Sequence, residues 1–250
     1  MIELLKIRLL DPLLNRRPTI VVSNDKKIEL SKYRHVQDVS GDHLNININS
    51  FLIPPIGMSK NDWIITNLVD FLKRVELLYS SCSLFCTTDT CPLFNAGPKY
   101  IYFWLDDNSR NPVQISAPDY FAALKRFIKR NLKNELLFPN NSSENFSTKA
   151  NYIIQASYRR LFRVLAHLYI CHFDDLTKLS KDNLNFFEVM NTILIHYTNI
   201  TLINNICQPE DFDVFEPIFS KMDNNRNENT NPNFHCPLFS IKSKSESLQK

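Results

Sequence analysis

From Ile64 to Tyr79, apolar side chains recur at three- and four-residue intervals (Ile64/Ile65, Leu68, Phe71/Leu72, Val75, Leu78/Tyr79), the spacing that aligns them on one face of an α-helix. Ser59, followed three residues later by Asp62, supplies an acidic variant of the capping box, so a helix is expected over roughly residues 60 to 80. Further amphipathic stretches follow. Tyr120, Leu124, Phe127, Ile128 and Leu132 share a face behind Ser116-Ala-Pro118, in a helix expected to be ended by Phe138-Pro139. Ile153, Ile154, Leu161, Val164, Leu165 and Leu168 mark a helix from about Lys149 to Cys171; another spans about Leu184 to Tyr197, and a short one follows Pro209. Tyr100-Ile-Tyr-Phe-Trp104 is aromatic and β-branched, which suits a short strand or hairpin. The expected fold class is all-α: a helical bundle carrying a small irregular insert.

The ends of the chain read differently. Residues 1–51, with Thr19-Ile-Val-Val22, an Asp25-Lys-Lys27 turn and the alternating Leu44-to-Asn49 stretch, read as a partly irregular N-terminal extension to a helical domain over 52–222. Residues 223–250 collect asparagine, serine and lysine, a composition that cannot offset its own ordering entropy, and are expected to be a disordered tail. With 44% hydrophobic and 22% charged residues the chain as a whole is ordinary globular material. Its three glycines, Gly41, Gly57 and Gly97, are too far apart for a Rossmann, P-loop or kinase phosphate loop. A net charge of +3 points by itself to neither nucleic acid nor membrane. Lys6, Arg8 and Asp11 interrupt the apolar N-terminus as a signal peptide would not, and the long uncharged stretch Val189 to Pro209 is too polar to span a bilayer. A cytoplasmic location is therefore expected. There thiols stay reduced, so Cys82, Cys86, Cys91, Cys171, Cys207 and Cys236 read as metal ligands or core residues rather than disulfides.

Cys86-Thr-Thr-Asp-Thr-Cys91 and His167-Leu-Tyr-Ile-Cys-His172 together offer two thiols and two imidazoles, a complete tetrahedral zinc set. Spacing leaves the set ambiguous. On a regular helix residues i and i+5 diverge by about 140° whereas i and i+4 nearly overlay, so His167 pairs better with Cys171 than with His172 unless the helix ends there. Ordinary buried cysteines and core histidines are the plainer alternative.

Asp62-Trp-Ile-Ile-Thr-Asn-Leu-Val-Asp-Phe71, Phe85-Cys86, Thr90-Cys91-Pro92, Ala96-Gly97-Pro98-Lys99-Tyr100, Ser116-Ala-Pro118-x-Tyr120, Leu137-Phe138-Pro139 and Arg160-Leu-Phe-Arg-Val-Leu-Ala-His167-x-Tyr169-x-x-His172-Phe173 resemble, in order, the successive motifs of the Mob family (Mob1/phocein) of kinase-activating adaptors. The resemblance covers roughly residues 52 to 222. It implies a Mob-type bundle with a four-helix core, whose hairpin and loop insert is tied down by one structural zinc ion on Cys86, Cys91, His167 and His172, with Cys171 a neighbour. It implies a partner of the NDR/LATS type, whose basic N-terminal regulatory region meets the start of the first long helix, where Asp62, Trp63 and Asp70 stand at matching positions. Met58-Ser59-Lys60 departs from the family, which carries acids at the first two of these positions and no lysine, so a shifted partner preference or a lower affinity is expected. It also implies capture of a phosphorylated upstream Hippo-type kinase or scaffold in a pathway controlling cell division or morphogenesis, and it adds the nucleus and the spindle pole or basal body as further locations.

Arg159, Arg160 and Arg163 fall at i, i+3 and i+4 relations, so three guanidiniums can converge on one patch suited to phosphate; pairing with acids such as Asp174 or Asp175 is the competing reading. No enzyme is expected: four protein ligands leave a zinc ion no open position for water, and the zinc-hydrolase, deaminase and G-x-S-x-G signatures do not occur. The alternative function is a basic zinc-stabilised protein binding nucleic acid, through Lys125, Arg126, Lys129, Arg130 and Lys133 at helical spacing. That stripe departs from the acidic helix of the better-known family members.

Overall fold

The computed structural model describes residues 19–21, 51–105, 111–139, 146–180 and 186–220. The tail expected over 223–250 and most of the extension expected over 1–51 lie outside the described residues. Helix α1, Lys60–Ser81, starts where the sequence predicts: Ser59 Oγ accepts the Asp62 backbone N–H (3.1 Å) and donates to the Asp62 carboxylate (2.7 Å), satisfying a donor the first turn leaves open. Trp63, Ile64, Leu68, Phe71, Leu72, Val75 and Leu78 form its buried face.

Two short strands, β2 (Asn95–Ala96) and β3 (Tyr100–Tyr102), follow, and β1 (Thr19–Val21) pairs with the other edge of β3, giving an antiparallel sheet of order β1-β3-β2. Part of the N-terminal extension is thus a strand. Its partners in β3 lie about eighty residues further along the chain, which no local pattern announces.

Helix α2, Ala117–Leu132, is capped by Ser116 and stops at Lys133, earlier than Phe138-Pro139. Asn134 ends it: its carbonyl accepts the Leu137 and Phe138 N–H groups (3.0 and 2.9 Å), and its side chain accepts from Leu136 N (3.1 Å). Such an asparagine offers the backbone a turn in place of another helical residue. Phe138 then returns to the interior against Phe146.

Helix α3, Thr148–Cys171, is the hub, packing against α1, α2, β2 and the three elements that follow it. These are α4 (Phe173–Ser180), α5 (Phe186–Ile203) and a 3-10 helix over Pro209–Phe215 that leads into a helical turn at 216–220. The sequence does not announce α4, because eight residues give too few turns for a period. Helix α5 runs past Tyr197 to Ile203, and two of its polar residues bond within the helix or to a neighbour: Thr201 Oγ1 donates to the Tyr197 carbonyl (2.8 Å) and Asn191 Oδ1 accepts from the Tyr169 hydroxyl (2.8 Å). Asn205 closes the segment in the left-handed region (φ 54°), which asparagine tolerates.

Candidate metal centre and ligand-binding surfaces

The loop after α1 has little to bury: Ser83, Leu84, Thr88, Asp89 and Thr90 are exposed. It is ordered by its own polar groups instead. Thr87 and Thr90 exchange backbone and hydroxyl hydrogen bonds (2.9 and 3.2 Å), and Thr90 Oγ1 donates to the Phe85 carbonyl. The Cys91 N–H donates to the Thr87 carbonyl (2.9 Å), so the C-x4-C segment closes on itself and presents both thiols to α3.

His167 is fully buried in the last turns of α3. The helix ends at Cys171, and His172 is its C-cap, with φ −120° and ψ 17°. That break lets an i+5 histidine swing in beside His167. Nε2 of His167 lies 3.4 Å from Cys86 Sγ and Nε2 of His172 lies 3.4 Å from Cys91 Sγ, and all four donor atoms fall within 4.8 Å of one another. Tetrahedral sulfur and nitrogen ligands on one zinc ion would stand about 3.5 Å apart, so the set fits a single closed four-coordinate ion.

The surrounding groups prepare the same chemistry. His167 Nδ1–H donates to the Asn95 carbonyl (2.7 Å) and His172 Nδ1–H to the Asp175 carboxylate (3.2 Å). Because a carbonyl or a carboxylate only accepts, both rings carry the proton on Nδ1 and turn the Nε2 lone pair inward, the arrangement ligating histidines adopt. Burial pushes the Cys86 thiol up to about 12 and His167 down to about 4. Both shifts favour neutral forms, so thiolates here need a cation to supply the missing charge. Cys171 stays outside the set, with its thiol 3.2 Å from Asn95 Oδ1. Asn95 and Asp175, which orient the two rings, were not singled out for that role from sequence, and Asn95 could not have been because it acts through its backbone.

The three arginines take different partners. Arg159 Nε donates to Asp211 Oδ2 across to the 3-10 helix (2.9 Å), so among the described residues Asp211 is an acid that engages this triad, whereas Asp175 is occupied by His172 and Lys178. Arg160 is buried, stacked over Trp104 and Phe127 (4.3 and 4.6 Å to the ring centroids), and donates to the Leu105 carbonyl. Arg163 lies 5.3 Å over the Tyr102 ring with Nη1 3.4 Å from the Tyr120 hydroxyl. Burial works against the Arg163 charge, yet Tyr120, Tyr102 and Asp211 hold its pKa above the usual arginine value.

At the start of α1, Asp62 is exposed while Trp63 is buried. Asp70 is half-buried, accepting from the Tyr197 hydroxyl (2.5 Å) and Arg74 (2.7 Å). Burial alone would raise its pKa, but these two partners bring it below the ordinary carboxylate value. On α2, Arg126, Lys129, Arg130 and Lys133 are exposed, while Lys125 is ion-paired with Glu76 of α1 (2.9 Å). Among the described residues no helix is long and apolar enough to cross a membrane.

A mostly helical bundle in which a Cys2His2 cluster able to hold a metal ion joins a loop to the central helix defines the class of domain, and sequence comparison supplies the family. The Mob1/phocein family profile matches residues 42–215. Curated relatives include MOB kinase activator-like 1A of Arabidopsis thaliana, 35% identical over 62% of this chain and 70% of the plant protein. MOB kinase activator-like 1 homolog A of Dictyostelium discoideum is 31% identical over 71% of this chain and 79% of its own length. MOB kinase activator 3A of Mus musculus is 31% identical over 79% of this chain and 87% of the mouse protein. The chain belongs to the Mob1/phocein family.

Proposed function

We propose that this protein is a non-catalytic adaptor that activates a protein kinase of the NDR/LATS type while holding a phosphorylated upstream kinase or scaffold, in a pathway controlling cell division or morphogenesis. The observation that carries the reading is family membership across 42–215, with relatives named kinase activators in a plant, an amoeba and a mammal. The site chemistry agrees with it. Four protein donors around one ion leave no ligand position for water, so the ion, read as zinc from its thiolate and imidazole donors, is structural.

In this reading Asp62 is the exposed charge that meets the basic regulatory region of the kinase. Trp63 and Asp70 fix the helix behind it, the one by burial and the other through Tyr197 and Arg74. Arg159, Arg160 and Arg163 receive the phosphate. The aromatic rings under Arg160 and Arg163 already restrict both side chains, so less entropy is lost on binding. The test is a pull-down and activity assay of the full chain with an NDR/LATS-type kinase retaining its N-terminal regulatory region. Binding and stimulation are expected, weakened by Asp62→Lys and lost without the kinase's regulatory region. Full-strength binding to a truncated kinase, or no binding by a folded protein, overturns the reading. The basic face of α2 makes an RNA oligomer the control ligand, and oligomer binding at physiological salt without kinase binding would favour the nucleic-acid alternative.

A further inference from the structure

One arginine of the proposed phosphate site is already bound to an anion of the protein itself. Asp211 Oδ2 accepts Arg159 Nε and the Gln208 backbone N–H, both at 2.9 Å, so a single carboxylate oxygen closes the 3-10 helix cap and holds the arginine. The pair is well shielded, with side-chain exposures of 29% for Arg159 and 11% for Asp211. Arg163, one helical turn on from Arg159, feels the same carboxylate. Asp211 therefore sits against the face of α3 from which the first and third arginines of the cluster project.

We propose that Asp211 is a specificity-determining residue for this surface: it acts as a resident anion that an incoming group must displace from Arg159, and it thereby selects phosphate over carboxylate. The proposal rests on the phosphopeptide reading of the arginine cluster. An incoming glutamate or aspartate would exchange one carboxylate for another on Arg159 and gain nothing there. A phosphate brings close to two charges and three acceptor oxygens, enough to replace Asp211 on Arg159 while engaging Arg163. Discrimination then comes from a built-in competitor that penalises the weaker anion. Displacement also removes Arg159 from the end of the 3-10 helix, whose cap oxygen it shares.

The test uses the full chain and a phosphothreonine peptide with small neutral flanks, its glutamate-substituted and unphosphorylated twins, and inorganic phosphate as a separate arm. Affinities are measured for the wild type, Asp211→Asn, Arg159→Gln and the double variant. Asparagine keeps the acceptor oxygen for Gln208 N–H and removes the charge, and circular dichroism checks that the fold is kept. Asp211→Asn is expected to bind the phosphopeptide several-fold more tightly and the glutamate peptide with a still larger gain, so that discrimination between them narrows. The gain should vanish in the Arg159→Gln background. If wild type and Asp211→Asn bind the phosphopeptide equally and discriminate equally, the competitor role is overturned while phosphopeptide binding stands. A gain that persists without Arg159 overturns it too, as a general charge effect. If no variant distinguishes the phosphopeptide from its unphosphorylated twin, the phosphate site and its gate fall together; if inorganic phosphate matches the peptide, the site is an anion site without peptide recognition and the gate is overturned as a device for selecting partners.

Discussion

Around the middle of α3 the interior is built from rings: Phe71 stacks on Tyr197 (4.1 Å between centroids) and packs on Phe162 (5.0 Å), Phe162 meets Phe212 edge-on (4.8 Å), and the Tyr158 hydroxyl reaches back to the Ile64 carbonyl (3.1 Å). At the C-terminal end of the same helix the partner is a threonine-rich loop with its leucine, Leu84, turned outward. That loop carries Cys86 and Cys91 into one donor set with His167 and His172. One end of α3 is stabilised by removing apolar surface from water. The other brings together a donor set able to hold a metal ion, and ligation is how small loops are ordered when they have little apolar surface to remove. The difference teaches that a single helix can carry two folding problems with separate solutions, and that the two should fail separately.

The largest expected effect is at the metal corner. Cys91→Ala or His172→Ala should lower stability by more than about 5 kcal/mol and abolish stoichiometric zinc in purified protein. Cys171→Ser should keep the metal, since its thiol meets Asn95 and lies outside the donor set. Elemental analysis with thermal melts decides it: zinc retained at full stoichiometry in either ligand variant would break the comparison.

Next in size is the aromatic interior. Phe71→Ala removes a fully buried ring and should cost about 3–5 kcal/mol. The folded fraction should still bind one zinc ion per chain. A strong chelator should lower the melting temperature of wild type and Phe71→Ala by similar amounts, because Phe71 packs on Tyr158, Phe162 and Tyr197 whereas the histidines of the donor set lean on Asn95 and Asp175. Zinc loss in Phe71→Ala while the helices remain would show that the two ends of α3 are coupled.

A smaller effect tests the polar margin of the interior. His196 packs against Tyr197 and its pKa is lowered from 6.5 to about 4, first by burial and then by Arg74. A depressed histidine pKa means the unfolded chain binds more protons between these values. Its contribution is therefore complete above pH 6.5 and is lost as the pH falls towards 4. His196→Gln should lose about 2 kcal/mol less than wild type between pH 7 and 5 in denaturant titrations. His167 is depressed in the same direction in both proteins and cancels in the difference. Parallel profiles for the two would remove His196 from the account.

Much of this was legible in the sequence where chemistry repeats at short range. Ser59, Ser116 and the apolar periods placed α1, α2 and α3 because a cap and a stripe are local properties. Spacing narrowed the metal donors but could not choose between Cys171 and His172, since the choice turns on where α3 ends, and its end depends on how the chain turns into α4. The triad was visible as three arginines on one helix, whereas their partners come from Trp104, Tyr120 and Asp211, far along the chain. Asp211 lies in a short acidic 3-10 segment that reads locally as capping alone.

The smallest effect is a steric one at the metal corner, where Gly97 (φ 73°) turns the chain between β2 and β3. A Cβ there would stand 3.1 Å from Ile170 Cγ2 on α3, while at Gly57 (φ 87°) it would meet open space. Both alanine variants carry the left-handed backbone cost of about 1 kcal/mol, so Gly57→Ala measures that cost alone. Gly97→Ala should exceed it by roughly 0.5–1 kcal/mol, the part that comes from pressing the loop off α3. Pairing Gly97→Ala with Ile170→Ala should recover that excess in a double-mutant cycle, with zinc content unchanged throughout. Equal costs at the two glycines would mean that the loop yields freely against the helix, leaving ligation, and no close packing, to hold this end of α3.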